Sequence, residues 1–317
     1  MIVALAGGVG GAKLAQGLAR ALPPGELTVI VNTADDFDLY GLRICPDLDT
    51  VLYTLAGLAN PATGWGIAGD TRQTLDAIAR LGREPWFLLG DQDLATHILR
   101  TERLRAGATL TEVTMEFTAA LGIATRILPM TDDPVATVVQ TPAGELEFQE
   151  YFVRRRQQDD VLNVAFRGVE QARPSPAALA AVESAELIVF APSNPIVSIG
   201  PILALAGLRA AIDRAGAPRI AVSPIVGGRA LKGPADRMLA TLGHEVSAAG
   251  VAAIYQGLLD GFVIDEQDRA LASAVEARAM RVLVTRTIMG DEADRRRLAA
   301  EVLAFGRSLA PAGVGTA

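Results

Sequence analysis

The sequence is short of the residues that build disulfide, zinc and membrane proteins. It has one cysteine, Cys45, and two histidines, His97 and His244. That excludes an internal disulfide and leaves no cysteine- or histidine-rich metal set. No apolar stretch reaches the ~20 residues of a membrane-spanning helix, and no basic segment precedes the first apolar run. The expectation is a soluble, cytoplasmic chain with no membrane partner. An excess of basic charge is missing too. The formal net charge is −7, which argues against a nucleic-acid-binding surface but allows a small anionic ligand in a local pocket. Aromatic residues are few although half the chain is hydrophobic, a balance that suggests alanine-rich helices packed on a sheet. A chain of 317 residues suits one large domain or two intimately joined ones.

What is abundant at the start is glycine. Ile2 to Ala6 is an apolar run of strand length, followed by Gly7-Gly8-Val9-Gly10-Gly11 and then an amphipathic segment from about residue 12 to 22. Glycine permits a tight turn and close approach to an anion, and a helix start offers free N–H groups to a phosphate. Neither standard fingerprint fits. Lys13 is not followed by Ser or Thr, and the third glycine of G-x-G-x-x-G is missing. A ligand-free turn is the alternative.

Leu27 to Asn32 reads as a second strand, which completes a βαβ unit and predicts a parallel sheet. Residues 41 to 130 read mainly as helices: Asp49–Leu58, Asp70–Leu81, Asp91–Arg100 and Thr109–Leu121. Val135–Gln140 and Leu146–Val153 alternate like a β-hairpin. Leu187–Pro192, Arg219–Pro224 and Val282–Arg286 are buried strands, Ile202–Ala215 is a helix, and residues 291–308 form a closing helix. The fold class is therefore α/β: a Rossmann-like, mostly parallel sheet with an inserted helical subdomain and a β-hairpin. Residues 1–40 and 125–310 would form the nucleotide-binding core, residues 41–124 the insertion, and residues 311–317 a frayed tail.

Candidate chemistry gathers after strands. Asp35 and Asp36 follow the second strand, and Asp47 and Asp49 stand at a helix start. Each of the latter could be an N-cap, but the four together read as a Mg²⁺ site, since that ion takes one or two carboxylates plus substrate phosphates. Asp91 and Asp93 form a further acidic cluster, and His97 lies four residues beyond Asp93, where a helical pair explains it. Thr131-Asp-Asp-Pro134 reads as a turn. Ser193-Asn194-Pro195 through Ser198 and Gly200 present hydroxyl and amide donors at a helix start. Ser223, Gly227, Arg229 and Lys232 repeat that device at the next strand end, in a form suited to a diphosphate. Lys13 and Asn32 complete the candidate nucleotide-binding set.

These motifs together resemble the 2-phospho-L-lactate transferases of coenzyme F420 biosynthesis and their phosphoenolpyruvyl counterparts. The resemblance runs from GGVGGAKLA through NTADDF, PDLDT, LGDQDLATH, LPMTDDPV, FQEYFVR and APSNPIVSIG to SPIVGGRALKGPADRML. It implies a Rossmann-like core with an inserted helical domain. It also implies transfer of a phospho-acid group (2-phospho-lactate, phosphoenolpyruvate or 3-phosphoglycerate) from its guanosine diphosphate diester to the ribityl hydroxyl of the deazaflavin Fo. GMP would leave, Mg²⁺ would be the cofactor, and the chain would form a homodimer. On this resemblance the loop Gly7–Gly11 and Ser193 to Gly200 hold the guanosine diphosphate, and Asp49 and Asp47 are the candidate catalytic residues. Asp49, Leu88, Asp91, Asp93 and Trp65 lie on the deazaflavin side, where Trp86 and Phe87 are further flat candidates. At Leu88 relatives carry a basic or polar residue, and Gln92 replaces the basic residue of the LGDRD motif.

Two rival readings use the same opening. The gluconeogenesis-factor family, whose members bind nucleotide-sugars as regulators, shares the glycine-rich start and broad fold, but PDLDT and LGD-to-ATH resemble the transferases. An NAD-dependent dehydrogenase would need the missing third glycine and an acidic residue where Asn32 closes the second strand.

Overall fold

A computed structural model describes residues 1–310. The expected frayed tail, residues 311–317, lies outside the described residues. The chain opens with β1 (Ile2–Ala6), α1 (Gly8–Ala21) and β2 (Leu27–Val31), and β1 pairs parallel to β2 with Ile2 opposite Leu27. Arg126–Pro129 adds to the far side of β2, whereas Leu187–Phe190, Arg219–Val222, Gly261–Asp265 and Arg281–Thr285 are laid down in turn on the other side of β1. Seven strands, all parallel, thus form the central sheet. The order of strand addition reverses between β1 and Leu187–Phe190. In an open α/β sheet that crevice is where ligands bind.

Successive side chains of β1 leave on opposite faces of the sheet. Val3 and Leu5 enter one core with Ile30, Phe190 and Phe262. Ile2, Ala4 and Ala6 enter the other with Val29, Val189 and Leu298. Both faces are covered, which is why the strands read as continuous apolar runs rather than alternating ones. On the second face α1 crosses helix Glu292–Ser308 so closely that a side chain at Gly17 would stand 2.2 Å from the carbonyl oxygen of Arg295.

Between β2 and Arg126–Pro129 the chain makes a small hairpin of β3 (Phe37–Leu39) and β4 (Leu42–Ile44), then α2 (Pro46–Leu55), α3 (Gln73–Arg80), α4 (Asp91–Arg105) and α5 (Leu110–Ala120). The helix α2 belongs to the core, since Leu48, Val51 and Leu52 pack with α1 residues.

Three expectations need correction, and one strand was not expected. The first helix starts at Gly8, inside the glycine run, because that run is itself packed against two other segments. The second half of the expected hairpin stops at Glu147, and Glu150–Arg154 forms one π-helical turn. Phe148, Tyr151 and Phe152 recur at helical spacing, and Phe148 stacks on Phe152 at 5.5 Å with the rings 6° apart. The unforeseen Asn163–Arg167 supplies a third antiparallel strand beside Ala136–Thr141. The helix expected over 202–215 is broken into Ile199–Ala204 and Ala206–Arg214, with an extended Leu205 that lets Ile202, Leu205 and Leu208 bury in one core.

Candidate active site

At the reversal of strand order the ends of β1 and Leu187–Phe190 are tied together. The Gly7 N–H donates to Ser193 Oγ at 3.1 Å, and the Ser193 hydroxyl donates to the Gly7 carbonyl at 2.7 Å. The glycines are dictated by close approach. A side chain on Gly10 would stand 2.3 Å from the Pro192 carbonyl oxygen, on Gly11 2.6 Å from Ser193 Oγ, and on Gly7 2.5 Å from Asp47 Oδ2. Gly8 adopts a φ of +61°, which side chains disfavour.

Asp47 is the third partner in this knot. Its Oδ1 accepts from the Gly8 N–H at 2.7 Å, and its Oδ2 accepts from Asn32 Nδ2 at 2.9 Å. Asn32 also donates to the Val197 carbonyl at 3.2 Å and accepts from the Ala34 N–H at 2.9 Å. Asn32 therefore holds the site together from beneath and does not line the cavity.

A cavity of about 1000 Å³ opens above this knot. One side is the glycine loop Gly7 to Gly10 with Lys13, Asp35, Asp47, Ser193, Asn194, Ser198 and Ser223. Asp49, Trp65, Leu88 and Asp93 also line the cavity. Of the remaining candidates, Gly11, Asp36, Asp91, Pro195, Gly200, Gly227 and Arg229 are absent from its wall. Gly200 packs against Pro195 and Phe166, and the Gly227 N–H is taken by Asp268 at 3.1 Å. Asp91 accepts from the Thr71 hydroxyl and from the backbone N–H groups of Gln73 and Thr74. These bonds hold its carboxyl well below the ordinary aspartate range. It organises the turn before α3.

The four acidic residues do not form one cluster. Asp35 faces Asp47 at the cavity. Burial raises the pKa of both, and the charge of Asp47 raises Asp35 further. Asp35 Oδ1 is buried without a hydrogen-bond partner among the described residues. Asp36 turns the opposite way, towards Arg43 at 3.8 Å, and burial lifts its pKa to about 7. Asp49 is engaged by Arg100, whose Nη1 donates to Oδ2 at 3.1 Å and whose Nη2 donates to Oδ1. Beside this pair the Tyr53 hydroxyl donates to Asp93 Oδ1 at 2.6 Å, and His97 Nε2 lies 3.3 Å from the same oxygen. Burial pushes Asp93 up, but the His97 ring, the Tyr53 hydroxyl and Arg100 outweigh it and hold the carboxyl below its ordinary value.

The glycine-loop end also carries two lysines, Lys13 and Lys232. Lys13 Nζ donates to the Met289 carbonyl at 2.9 Å, and burial with the nearby charges of Arg295 and Lys232 lowers its pKa. Lys232 also crosses to the insertion, donating to the Thr63 carbonyl at 2.6 Å. Beside it, a side chain on Gly64 would stand 2.6 Å from Val9 Cγ1. The 60–66 loop that carries Trp65 is thereby strapped over the glycine loop. Trp86 and Phe87 pack against Phe37, with ring centroids 5.7 and 4.9 Å away, while also reaching the cavity wall.

Sequence reasoning missed Tyr53, Phe148, Phe152 and the segment Thr287 to Gly290, all of which line the cavity, as well as the supporting Arg100. The last segment follows the strand Arg281–Thr285, so the rule that sites gather at strand ends could have found it. Arg100 lies three residues after His97 on one helix, a weaker cue.

Residues 2–304 match the family 2-phospho-L-lactate transferase CofD. A phosphoenolpyruvate transferase of Streptomyces griseus is 47% identical over 296 residues, covering 92% of this chain and 93% of the relative. A 2-phospho-L-lactate transferase of Methanosarcina acetivorans is 44% identical, covering 94% and 96%. A crystal structure of a UPF0052-family protein from Bacillus halodurans superposes with a TM-score of 0.65 at 14% identity, covering 95% of this chain and 98% of that one, a likeness of fold.

Proposed function

The chain belongs to the 2-phospho-L-lactate transferase CofD family, the transferases of coenzyme F420 biosynthesis, and from that premise we propose its substrates and the roles of its residues. The donor is the guanosine diphosphate diester of a phospho-acid, the acceptor is the deazaflavin Fo, and GMP is released. The observation that carries this reading is that one cavity of about 1000 Å³ joins a glycine- and cation-lined end to an end bearing Asp49 and flat apolar side chains. That volume stands at the upper end of single-ligand pockets, as a site for two substrates requires.

At the first end the N–H groups of Val9 and Gly10 at the helix start, with Lys13 and the Ser198 hydroxyl, receive the diphosphate. Asp47 fixes the loop through Gly8, and Asn32 fixes Asp47. At the second end Trp65 and Leu88 offer apolar surface to the deazaflavin ring, and Asp49 stands where an acceptor hydroxyl can donate to it. With Leu88 in place of a basic or polar side chain, recognition there rests on packing rather than on a side-chain hydrogen bond.

Mg²⁺ fits the pair Asp35 and Asp47. Two buried carboxylates face each other with raised pKa values, and one oxygen has no partner, a hard-oxygen donor set with uncompensated charge. When bound there, the ion supplies charge neutralisation for the diphosphate. Asp36 and Asp49 drop out of the ligand set because both are committed to the Arg43 and Arg100 side of the fold. Trp65, held by the strapped loop, narrows water access to the cavity. We place the enzyme in the cytoplasm as a homodimer.

The test is an assay with Fo, a guanylyltransferase that makes the donor, GTP and Mg²⁺. It is run separately with 2-phospho-lactate, phosphoenolpyruvate and 3-phosphoglycerate and read by the mass of the deazaflavin. One acid is expected to give a mass gain with matching GMP. With donor made beforehand and freed of the guanylyltransferase and free Mg²⁺, the transfer is expected to be abolished by EDTA and restored by Mg²⁺. No gain with any acid would sink the reading, and turnover indifferent to EDTA would sink the metal assignment.

A further inference from the structure

The aspartate at the acceptor end is held by a device that the transfer reaction as described does not use. Asp49 lies on α2, which is part of the sheet's core, and Arg100 lies on α4 in the inserted segment. The guanidinium grips both carboxylate oxygens of Asp49 in a fork. Both side chains are almost wholly buried, at 7% and 3% exposure, yet only Asp49 reaches the cavity wall. Arg100 Nη1 also approaches His97 Nδ1 at 3.2 Å. A guanidinium can only donate, so Nδ1 is the acceptor and the ring proton sits on Nε2, which lies 3.3 Å from Asp93 Oδ1 without a hydrogen bond among the described residues. The Tyr53 hydroxyl closes the chain from α2 back to Asp93.

Asp49, Asp93 and His97 have donor atoms within 4.8 Å of one another, the spacing of a metal site. The guanidinium of Arg100 already stands among them, however, donating to both oxygens of Asp49 and approaching His97 Nδ1, while Tyr53 donates to Asp93 Oδ1. A guanidinium in the centre also repels a dication. The cluster is closed to metal and built to fix a carboxylate.

We propose that Arg100 is a positioning residue of the transfer reaction, orienting the Asp49 carboxylate towards the acceptor hydroxyl, with His97 bracing the guanidinium and Asp93 and Tyr53 bracing His97 in turn. This rests on the reading of Asp49 as the residue that meets the acceptor. A bidentate fork sets both the rotation and the depth of a carboxylate, which one ammonium cannot do. Because Arg100 acts through Asp49, its removal should lower kcat and leave the donor's KM nearly untouched. Misplacement of a catalytic group by about 1 Å is associated with a loss on the order of 100-fold.

The test is a double-mutant cycle on kcat, with thermal unfolding measured for each protein. Arg100→Gln is expected to lower kcat by roughly 100-fold with the donor's KM within about 3-fold of wild type. Arg100→Lys, which keeps the charge but not the fork, should fall between the two. In an Asp49→Asn background, Arg100→Gln should cause no further loss of kcat, because residues acting as one unit are non-additive. A merely structural arginine would give losses that multiply in the double variant, and that outcome overturns the proposal. Wild-type kcat in Arg100→Gln overturns it too. Should Arg100→Gln fail to fold, Arg100→Lys and the Asp49→Asn/Arg100→Lys pair carry the same comparison. Wild-type turnover in Asp49→Asn alone would instead remove the underlying reading of Asp49.

Discussion

Replacing Asp36 with asparagine should make the protein more stable at pH 8 and flatten its pH dependence. The Asp36 carboxyl is buried, neither of its oxygens has a hydrogen-bond partner among the described residues, and Arg43 stands 3.8 Å away. Burial raises its pKa from 3.8 to about 7. Between those two values the unfolded chain has released the proton while the folded chain keeps it, so folding becomes less favourable as pH rises through the window. Below pH 3.8 both states are protonated and the penalty vanishes. Above pH 7 it is complete, and at ~1.4 kcal/mol per pH unit the span bounds it at roughly 4 kcal/mol. The asparagine side chain carries no charge in either state. Arg43 keeps solvent and Asp38 as partners, so the substitution leaves no stranded cation. Urea unfolding of both proteins from about pH 4 to 8 tests this, because carboxylates that do not sense Asp36 contribute equally and cancel in the difference. The variant should gain on the wild type steadily as pH rises, by as much as ~4 kcal/mol at the top. Parallel curves would refute the reasoning and show that Asp36 ionises in the fold without penalty.

Gly10→Ala should destabilise by about 1–3 kcal/mol or more and abolish turnover, since its side chain would stand 2.3 Å from the Pro192 carbonyl oxygen. Gly216→Ala, where a side chain would meet nothing within 4 Å among the described residues, is the control and should be neutral or stabilising by up to about 1 kcal/mol; equal melting temperatures for the two variants would contradict the packing described. Ser193→Ala should lower stability by about 1–3 kcal/mol, because it strands the buried N–H and carbonyl of Gly7. A thermal midpoint within about 1 °C of wild type would mean that water replaces the hydroxyl.

Much of this site was legible because strand ends and glycine runs leave local marks. The apolar run Ile2–Ala6 and the four glycines after it announce a strand and a close approach before any coordinates are known. What they cannot announce is the partner. Gly10 is a glycine because of Pro192, and Gly11 because of Ser193, contacts made across more than half the chain. Asp35 and Asp36 show the limit differently. They are neighbours in sequence, yet one faces the cavity and the other faces Arg43, and only the path of the loop decides which. Phe148 and Phe152 were hidden by ambiguity of period. Leu146-Glu-Phe-Gln alternates like a strand, and the helical spacing of Phe148, Tyr151 and Phe152 emerges only when the alternation is abandoned after Glu147. Arg100 sits on a helix whose exposed charges disguise it, and its burial depends on a carboxylate from a different helix.

The knot at Gly7 sets the timetable of folding. β1 leaves the ribosome well before Leu187–Phe190, one of its two neighbours in the sheet, and Gly7 waits for Ser193, 186 positions later. The helix that α1 packs against, Glu292–Ser308, arrives later still. Contacts so distant in sequence form slowly, because a long loop must close before any of them is gained. The glycine loop is therefore made before its partners and organised only with them. Until then β1, α1 and β2 expose apolar surface meant for partners not yet synthesised, the kind of surface that chaperones bind.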